Sequence, residues 1–335
     1  MKFTLSDPIW IHELGKRTNQ EDSLFPSEGQ ATSEDRVFVL CDGMGGHEAG
    51  EVASSSVCES LGRWFRKHVS TDDILTTATF NEALSAAYKD LDMRDNGASE
   101  KKMGTTMTFL MFHAGGVTAA HIGDSRIYQL RPREAKPLFK TNDHSLVNDL
   151  VRLGEITEEE ARTSPNRNVI TRAMQPGEHR SKADIALLTD VQPGDWFYLC
   201  SDGMLEKMED EEMVALITDE TLSPDEKRQE LIRRTSDNKD NHTAWLIQVT
   251  AVEGIPLASD ADTTETEPVV MELKEDPIAR NVTLPKKKRT PFLLWLLMGL
   301  VALLLAVYLL KPLLHSSKVN EENPIETTET PLPDE

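Results

Sequence analysis

The chain has 335 residues, with 36 Lys and Arg against 57 Asp and Glu, a formal charge of −21. That balance argues against nucleic acid as the main partner, because a phosphate-backbone surface needs excess cations; the 39% of hydrophobic residues is enough for a packed core. Three cysteines, Cys41, Cys58 and Cys200, do not make a disulfide framework and suit a reducing setting. The stretch from Met1 to Leu14 has no long apolar run of the secretory type.

In chain order, the first feature is a polar cluster from Gly15 to Asp22, which taken alone reads as a solvated turn. An apolar strand over 36–41 follows, ending in Asp42-Gly43-Met44-Gly45-Gly46-His47. Val57, Leu61, Trp64 and Phe65 then mark one face of a helix over 49–68. Phe80, Leu84, Tyr88 and Leu91 mark a second helix, with a capping box at Thr79 and Glu82 and an end near Asn96-Gly97. Thr105 to Phe112, a turn at Gly115-Gly116 and Val117 to Ile122 predict a hairpin, and Gly123 to Arg126 turns into a third strand over 127–130. Two short helices follow, one carrying Leu146, Val147, Leu150 and Val151 and ended by Gly154, the other started by Thr157 and Glu160. Residues 163–182 are polar and irregular, suited to a loop over a site. A turn at Pro193-Gly194-Asp195 leads into a strand over 196–200, which ends in a second Asp-Gly-Met at Asp202. Helices near 209–218 and 224–235, a polar turn over 236–241 and a final, central strand over 243–252 complete this part.

The composition changes at Gly254. Residues 255–290 read as an acidic disordered linker closing on the basic run Lys286-Lys287-Lys288-Arg289. Phe292 to Leu310 carries no charge and as a helix spans about 28 Å, close to a bilayer core. Trp295 and Tyr308 near its ends suit membrane interfaces. The expectation is one transmembrane helix over 291–310, with a short acidic tail over 311–335. Four basic residues before the span against Lys311 and Lys318 after it place the N-terminal domain in the cytoplasm, at the cell membrane.

The candidate site residues are carboxylates at turns: Glu21, Asp22, Asp42, Asp124, Asp202 and Asp240. Ionised acids brought together repel unless cations or protons compensate. No His or Cys group has zinc-site spacing, so an oxygen-only set favours Mg²⁺ or Mn²⁺. Two such ions can activate water and clamp a phosphoryl oxygen, and Arg17 offers a planar phosphate grip. For any single acid, capping a turn is an equally good reading.

Eight short motifs occur together in one order. They are Arg17-Thr18-Asn19-Gln20-Glu21-Asp22, Cys41-Asp42-Gly43-Met44-Gly45-Gly46-His47 with Ala49-Gly50-Glu51, Gly104-Thr105-Thr106, Gly123-Asp124-Ser125-Arg126, Asp143-His144-Ser145, Asn168-Val169-Ile170-Thr171-Arg172-Ala173, Cys200-Ser201-Asp202-Gly203, and Asp240-Asn241-His242-Thr243. The pattern resembles the type 2C (PPM) family of metal-dependent Ser/Thr protein phosphatases in its bacterial form. The resemblance implies an α+β fold, a four-layer α-β-β-α sandwich over residues 1–254. It implies hydrolysis of phosphoserine and phosphothreonine by in-line attack of water held at two Mn²⁺ or Mg²⁺ ions, with a third, weaker ion. By resemblance Asp42 bridges two ions and the Gly43 carbonyl binds one. Asp202 and Asp240 complete the other shell, Glu21 and Asp22 bind directly or through water, and Asp124 holds the third ion with Asp202. Arg17 binds the substrate phosphate, and residues 155–180 form a flap beside it. Implied partners are phosphorylated proteins, including a Ser/Thr kinase and its targets. Met44 stands where many eukaryotic members carry a proposed general-acid His, Gln20 replaces a frequent Asn, and His242 replaces a small apolar residue. A catalytically silent phosphoprotein-binding module is the alternative, disfavoured because the ligand acids are kept.

Overall fold

The structure is a computed structural model that describes residues 1–45, 48–95 and 103–255. The expected linker, basic run, membrane span and tail lie outside the described residues, as do His47 and the expected helix end at Asn96-Gly97. The strands are β1 (Lys2–Leu5), β2 (Ile9–Glu13), β3 (Asp22–Phe25), β4 (Val37–Met44), β5 (Gly104–Thr105), β6 (Met107–His113), β7 (Gly116–Ile122), β8 (Arg126–Leu130), β9 (Phe139–Lys140), β10 (Asp184–Leu188), β11 (Trp196–Cys200) and β12 (His242–Glu253). The helices are α1 (Glu48–His68), α2 (Thr77–Arg94), α3 (Leu146–Arg152), α4 (Glu158–Thr163), α5 (Asp210–Ile217) and α6 (Pro224–Thr235). Among these residues no helix is long and apolar enough to cross a membrane.

Two six-stranded antiparallel sheets result. One runs β1-β12-β11-β8-β9, with β2 also on β12; the other runs β10-β7-β6-β4-β3, with β5 on β4. Side chains alternate faces along a strand, so a strand apolar on both faces must be covered on both. In β4, Phe38 and Leu40 face the other sheet and meet Trp245, Ile247, Phe197 and Leu199. Val39 and Cys41 face outward, against Val57, Leu61 and Phe65 of α1 and Phe80 and Leu84 of α2. On the far side, Tyr128, Tyr198 and Leu246 pack against Met213, Ile217 and Leu231 of α5 and α6. The layers are therefore helix, sheet, sheet, helix. Phe38 meets Trp245 edge-on at 5.5 Å, and Phe112 meets Phe197 at 5.3 Å. The Trp245 indole also donates to the Val39 carbonyl at 3.3 Å, a hydrogen bond between the sheets.

Most expected elements are present, with instructive exceptions. Strands β1 and β2 precede the polar cluster and β3 starts at its last residue, in a stretch where no strand was expected. The first two are short and stabilised by pairing with the long, central β12. Strand β10 follows the stretch read as irregular and was not expected: its side chains are half-buried or exposed, so it carries little apolar signal. Strand β8 does not extend the β6–β7 hairpin; it crosses to the other sheet and pairs with β11. The second helix is capped by Thr76, which accepts from the Thr79 N–H, rather than by the expected box at Thr79 and Glu82.

Helix α1 contains Gly62, packed against Phe25 of β3. Helix propensity alone makes Gly62→Ala stabilising by about 1 kcal/mol. Packing reverses the sign: an added Cβ would lie 2.1 Å from Phe25 Cδ1. The ring is buried and is also covered by the Arg66 guanidinium, 4.4 Å from its centroid. The expected outcome is a net loss of about 1–3 kcal/mol, typical of overpacking, read from the midpoint of urea unfolding at unchanged slope; an unchanged or raised midpoint refutes it.

Candidate metal centre

Five chain segments bring the acids together. Asp22 opens β3 and sits opposite Asp42 near the end of β4. The Asp42 N–H donates to Thr106 Oγ1 at 2.9 Å, and its carbonyl accepts from Thr105 Oγ1 at 2.9 Å and the Thr106 N–H at 2.8 Å. Gly43 continues the strand, its N–H on the Glu21 carbonyl at 3.0 Å. A Cβ there would lie 2.2 Å from the Gly50 carbonyl oxygen, so only glycine lets α1 approach so closely. From the other sheet, Asp202 starts a 3₁₀ turn two residues past the end of β11, and Asp240 lies two residues before the start of β12. Asp124 occupies the turn by which β7 passes to β8, from one sheet to the other.

The acids form one electrostatic unit. Asp22 and Asp124 are buried, while Asp42, Asp202 and Asp240 are half-buried. Burial pushes Asp22 up to about 7, with Asp202 and Asp240 adding to it and a 2.9 Å hydrogen bond from Ser201 Oγ opposing it. Asp124 is pushed to about 7 by burial and then by Asp202. Asp202 rises to about 6 through burial and Asp240, and its carboxyl lies within hydrogen-bond reach of Asp42. Asp42 itself is held well above the carboxylate range by desolvation, then by Asp22, Asp202, Asp124 and Asp240. Two buried oxygens, Asp124 Oδ1 and Asp202 Oδ1, have no hydrogen-bond partner. Clustered acids with spare oxygens and no soft ligand fit hard divalent cations such as Mg²⁺ or Mn²⁺.

Glu21 and Arg17 reach the same place from the β2–β3 connection. The Glu21 side chain lies beside α1, where a Cβ on Gly50 would be 2.9 Å from its Cδ. Arg17, half exposed, donates through Nη2 to Asp240 Oδ2 at 2.6 Å, and Glu21 and Asp42 are also within its electrostatic reach. Its nearest charge is thus one of the predicted ligand acids. Met44 ends β4 without an ionisable group. The cluster from Gly15 to Asp22 forms a turn, as its polarity suggests, but the turn is part of the site.

Sequence reasoning missed the residues that hold the acids. Asn241 Oδ1 accepts from the Glu21 N–H at 2.8 Å, while its Nδ2 donates to the carbonyls of Leu14 at 2.9 Å and Asn19 at 3.0 Å. It staples the Arg17–Glu21 loop to Asp240. Ser54 of α1 donates to the Glu21 carbonyl at 2.5 Å. Thr106 Oγ1 meets Ser125 Oγ at 2.7 Å, joining the Asp42 strand to the Asp124 turn. Asn241, Thr106 and Ser125 stand in the ordered motifs but were given no role there, and Ser54 lies outside them.

A family profile described as protein phosphatase 2C matches residues 12–240. Protein phosphatase PhpP of Streptococcus pneumoniae is 32% identical over 238 residues, covering 70% of this chain and 93% of that protein. Among solved structures, the Mycobacterium tuberculosis serine/threonine phosphatase PstP/Ppp superposes with a TM-score of 0.62 at 30% identity, over 73% of this chain and 99% of that one. The catalytic domain of PstP in complex with two manganese ions gives 0.60 at 30% identity, over 74% and 100%.

Because the folded state holds Asp22, Asp124 and Asp202 above the ordinary carboxylate value of 3.8, each favours folding while protonated. That contribution is complete below about pH 4 and is lost as the pH rises through about 6–7. The melting temperature of EDTA-treated protein is therefore expected to fall between about pH 5 and pH 8, and Mn²⁺ to raise it most at the alkaline end. Calorimetry with and without metal checks this; a flat profile in EDTA rules it out.

Proposed function

This chain belongs to the protein phosphatase 2C family, the metal-dependent protein serine/threonine phosphatases, and we propose that the acids joined at its strand ends are the metal ligands of that activity. In this reading Asp42, the Gly43 carbonyl, Asp202 and Asp240 would hold the two principal ions. Glu21 and Asp22 would support them directly or through water, and Asp124 with Asp202 would hold a third, weaker ion. Mn²⁺ or Mg²⁺ bound there supplies Lewis acidity toward a phosphoryl oxygen and makes a bound water more acidic. The supporting observation is the convergence of raised-pKa carboxylates carrying two unpartnered oxygens.

The chain's own residues do the positioning. Arg17 stands at the exposed edge of the cluster, where its guanidinium can take two oxygens of a phosphoserine or phosphothreonine phosphate. The carboxylate of Asp240 holds that guanidinium at the site before substrate arrives. Thr105 and Thr106 keep the Asp42 backbone fixed, and Ser201 orients Asp22. Met44, beside Gly43, has no ionisable proton to give the departing serine or threonine oxygen. The full chain with Mn²⁺ is expected to dephosphorylate a phosphothreonine peptide, to stop in EDTA, and to lose at least about a hundredfold in rate as Asp202→Ala. Activity indifferent to both changes would refute the assignment.

The second part of the proposal is a tether. The uncharged run 292–310 is long enough to span a bilayer, and the basic run 286–289 before it favours a cytoplasmic catalytic domain at the cell membrane. A flexible 255–290 linker would reach roughly 30–35 Å root-mean-square, favouring phosphoproteins close to the membrane, such as a Ser/Thr kinase and its targets. Deleting residues 286–335 is expected to leave peptide hydrolysis intact while moving the protein from the membrane pellet to the supernatant. A truncated protein that still pellets would remove the span as the anchor.

A further inference from the structure

One polar cluster lies outside the set of proposed ligands. His121 on β7, His144 after β9 and Asp184 at the start of β10 bring potential ligand atoms within 4.8 Å of one another. Counting hydrogens decides what the cluster is. The Gly123 N–H donates to His144 Nδ1 at 3.0 Å. A backbone N–H can only donate, so Nδ1 keeps its lone pair and the neutral ring carries its proton on Nε2. Nε2 lies 3.1 Å from Asp184 Oδ2, which accepts that proton. Arg172 Nη1 is 3.3 Å from the same nitrogen, but with Nε2 protonated its donation goes to Asp184 Oδ1 at 2.9 Å. His121 Nε2 donates to the Asn142 carbonyl at 2.9 Å, and its ring stacks on His144 at 4.4 Å and 15°. Burial, then the neighbouring His144 ring, pushes His121 down to about 4, so the stacked ring is uncharged near neutrality. A cation on His144 Nε2 would need the removal of a proton from a ring whose other nitrogen already accepts. The cluster is a directed hydrogen-bond chain in which Gly123 donates to His144 and His144 donates to Asp184.

The chain ends beside a proposed ligand. The His144 N–H donates to the Gly123 carbonyl at 2.9 Å, so Gly123 and His144 interlock through two bonds. Gly123 has φ +108°, and a Cβ there would lie 2.6 Å from the Thr106 side chain. The next residue is Asp124, with its unpartnered Oδ1. On the far side of the turn, Arg126 grips Asp143 with two 2.7 Å bonds. Residues 143 and 144 thus clamp the turn from both ends.

We propose that His144 is a positioning residue, locked in one tautomer by Asp184, that holds the Gly123–Asp124 turn so that the Asp124 carboxylate is preorganised for a divalent cation. The proposal rests on the reading of Asp124 as a metal ligand. Outer hydrogen-bond partners of ligands commonly contribute tenfold or more to metal affinity.

The test is Mn²⁺ binding to the EDTA-treated full chain in detergent, followed by the electron paramagnetic resonance of free Mn²⁺, with thermal melts alongside. Asp124→Ala is expected to remove the weakest class of sites. His144→Ala is expected to weaken that class about tenfold or more and leave the tighter sites unchanged. His144→Asn, whose Oδ1 can accept from the Gly123 N–H as Nδ1 does, should stay close to wild type, whereas His144→Gln should not. Adding His144→Ala to Asp124→Ala should cause no further loss. If His144→Ala does not fold, Asp184→Ala carries the test, because its carboxylate is exposed; it should weaken the same class only. If Asp124→Ala leaves Mn²⁺ binding intact, the reading of Asp124 fails. If Asp124→Ala acts and folded His144 or Asp184 variants do not, the positioning role fails. Equal weakening of all sites, persisting in the Asp124→Ala background, would show a merely structural role. A Co²⁺ absorption band lost in His121→Ala would make the cluster a metal site and overturn the proposal.

Discussion

The mutual repulsion of enclosed carboxylates is the constraint on which this structure turns. Asp22, Asp124, Asp202 and Asp240 each raise the proton affinity of at least one other acid of the group, and all four raise that of Asp42, so the group cannot ionise fully without a counter-charge. Protons supply it at low pH, and divalent cations suit it near neutrality. A site of this kind works against folding until it is loaded, and the rest of the protein must hold it in place.

The holding is done at two scales. At the larger one, the sheets meet through Phe38, Phe112, Phe197 and Trp245, and the indole hydrogen bond to Val39 crosses between them. Close-packed layers deform little, so strand ends from opposite sheets keep a set separation. At the smaller scale, Thr105, Thr106, Ser125, Ser201 and Asn241 bind backbone and carboxylate groups around the acids. The Gly123–His144 interlock serves the Asp124 turn in the same way.

Legibility in the sequence followed burial. Strands β4, β6, β7, β11 and β12 are buried on both faces and read as apolar runs; α1 and α2 show a single apolar face. Strand β10, at a sheet edge, carries a weak pattern, and β1 and β2 exist because β12 offers them a partner. Pairing is a long-range fact: Lys2 lies beside Glu253. The same holds for caps, where two neighbouring threonines, Thr76 and Thr79, compete and only the backbone geometry selects Thr76.

For the site, local chemistry named the acids and left their supports unseen. Two Asp-Gly-Met strand ends and the turn acids made Arg17, Glu21, Asp22, Asp42, Asp124, Asp202 and Asp240 the candidates, and Gly43 entered through the resemblance to the type 2C family. Asn241, Ser54 and the paired roles of Thr106 and Ser125 depend on contacts between segments far apart in the chain, which composition and spacing do not record. The same is true of the His144 tautomer, chosen by a glycine N–H 21 residues away. The sequence by itself determined which groups could meet a cation; only the packing of one sheet on the other decided their separation, their shared proton affinity and the hydrogen bonds that hold them there.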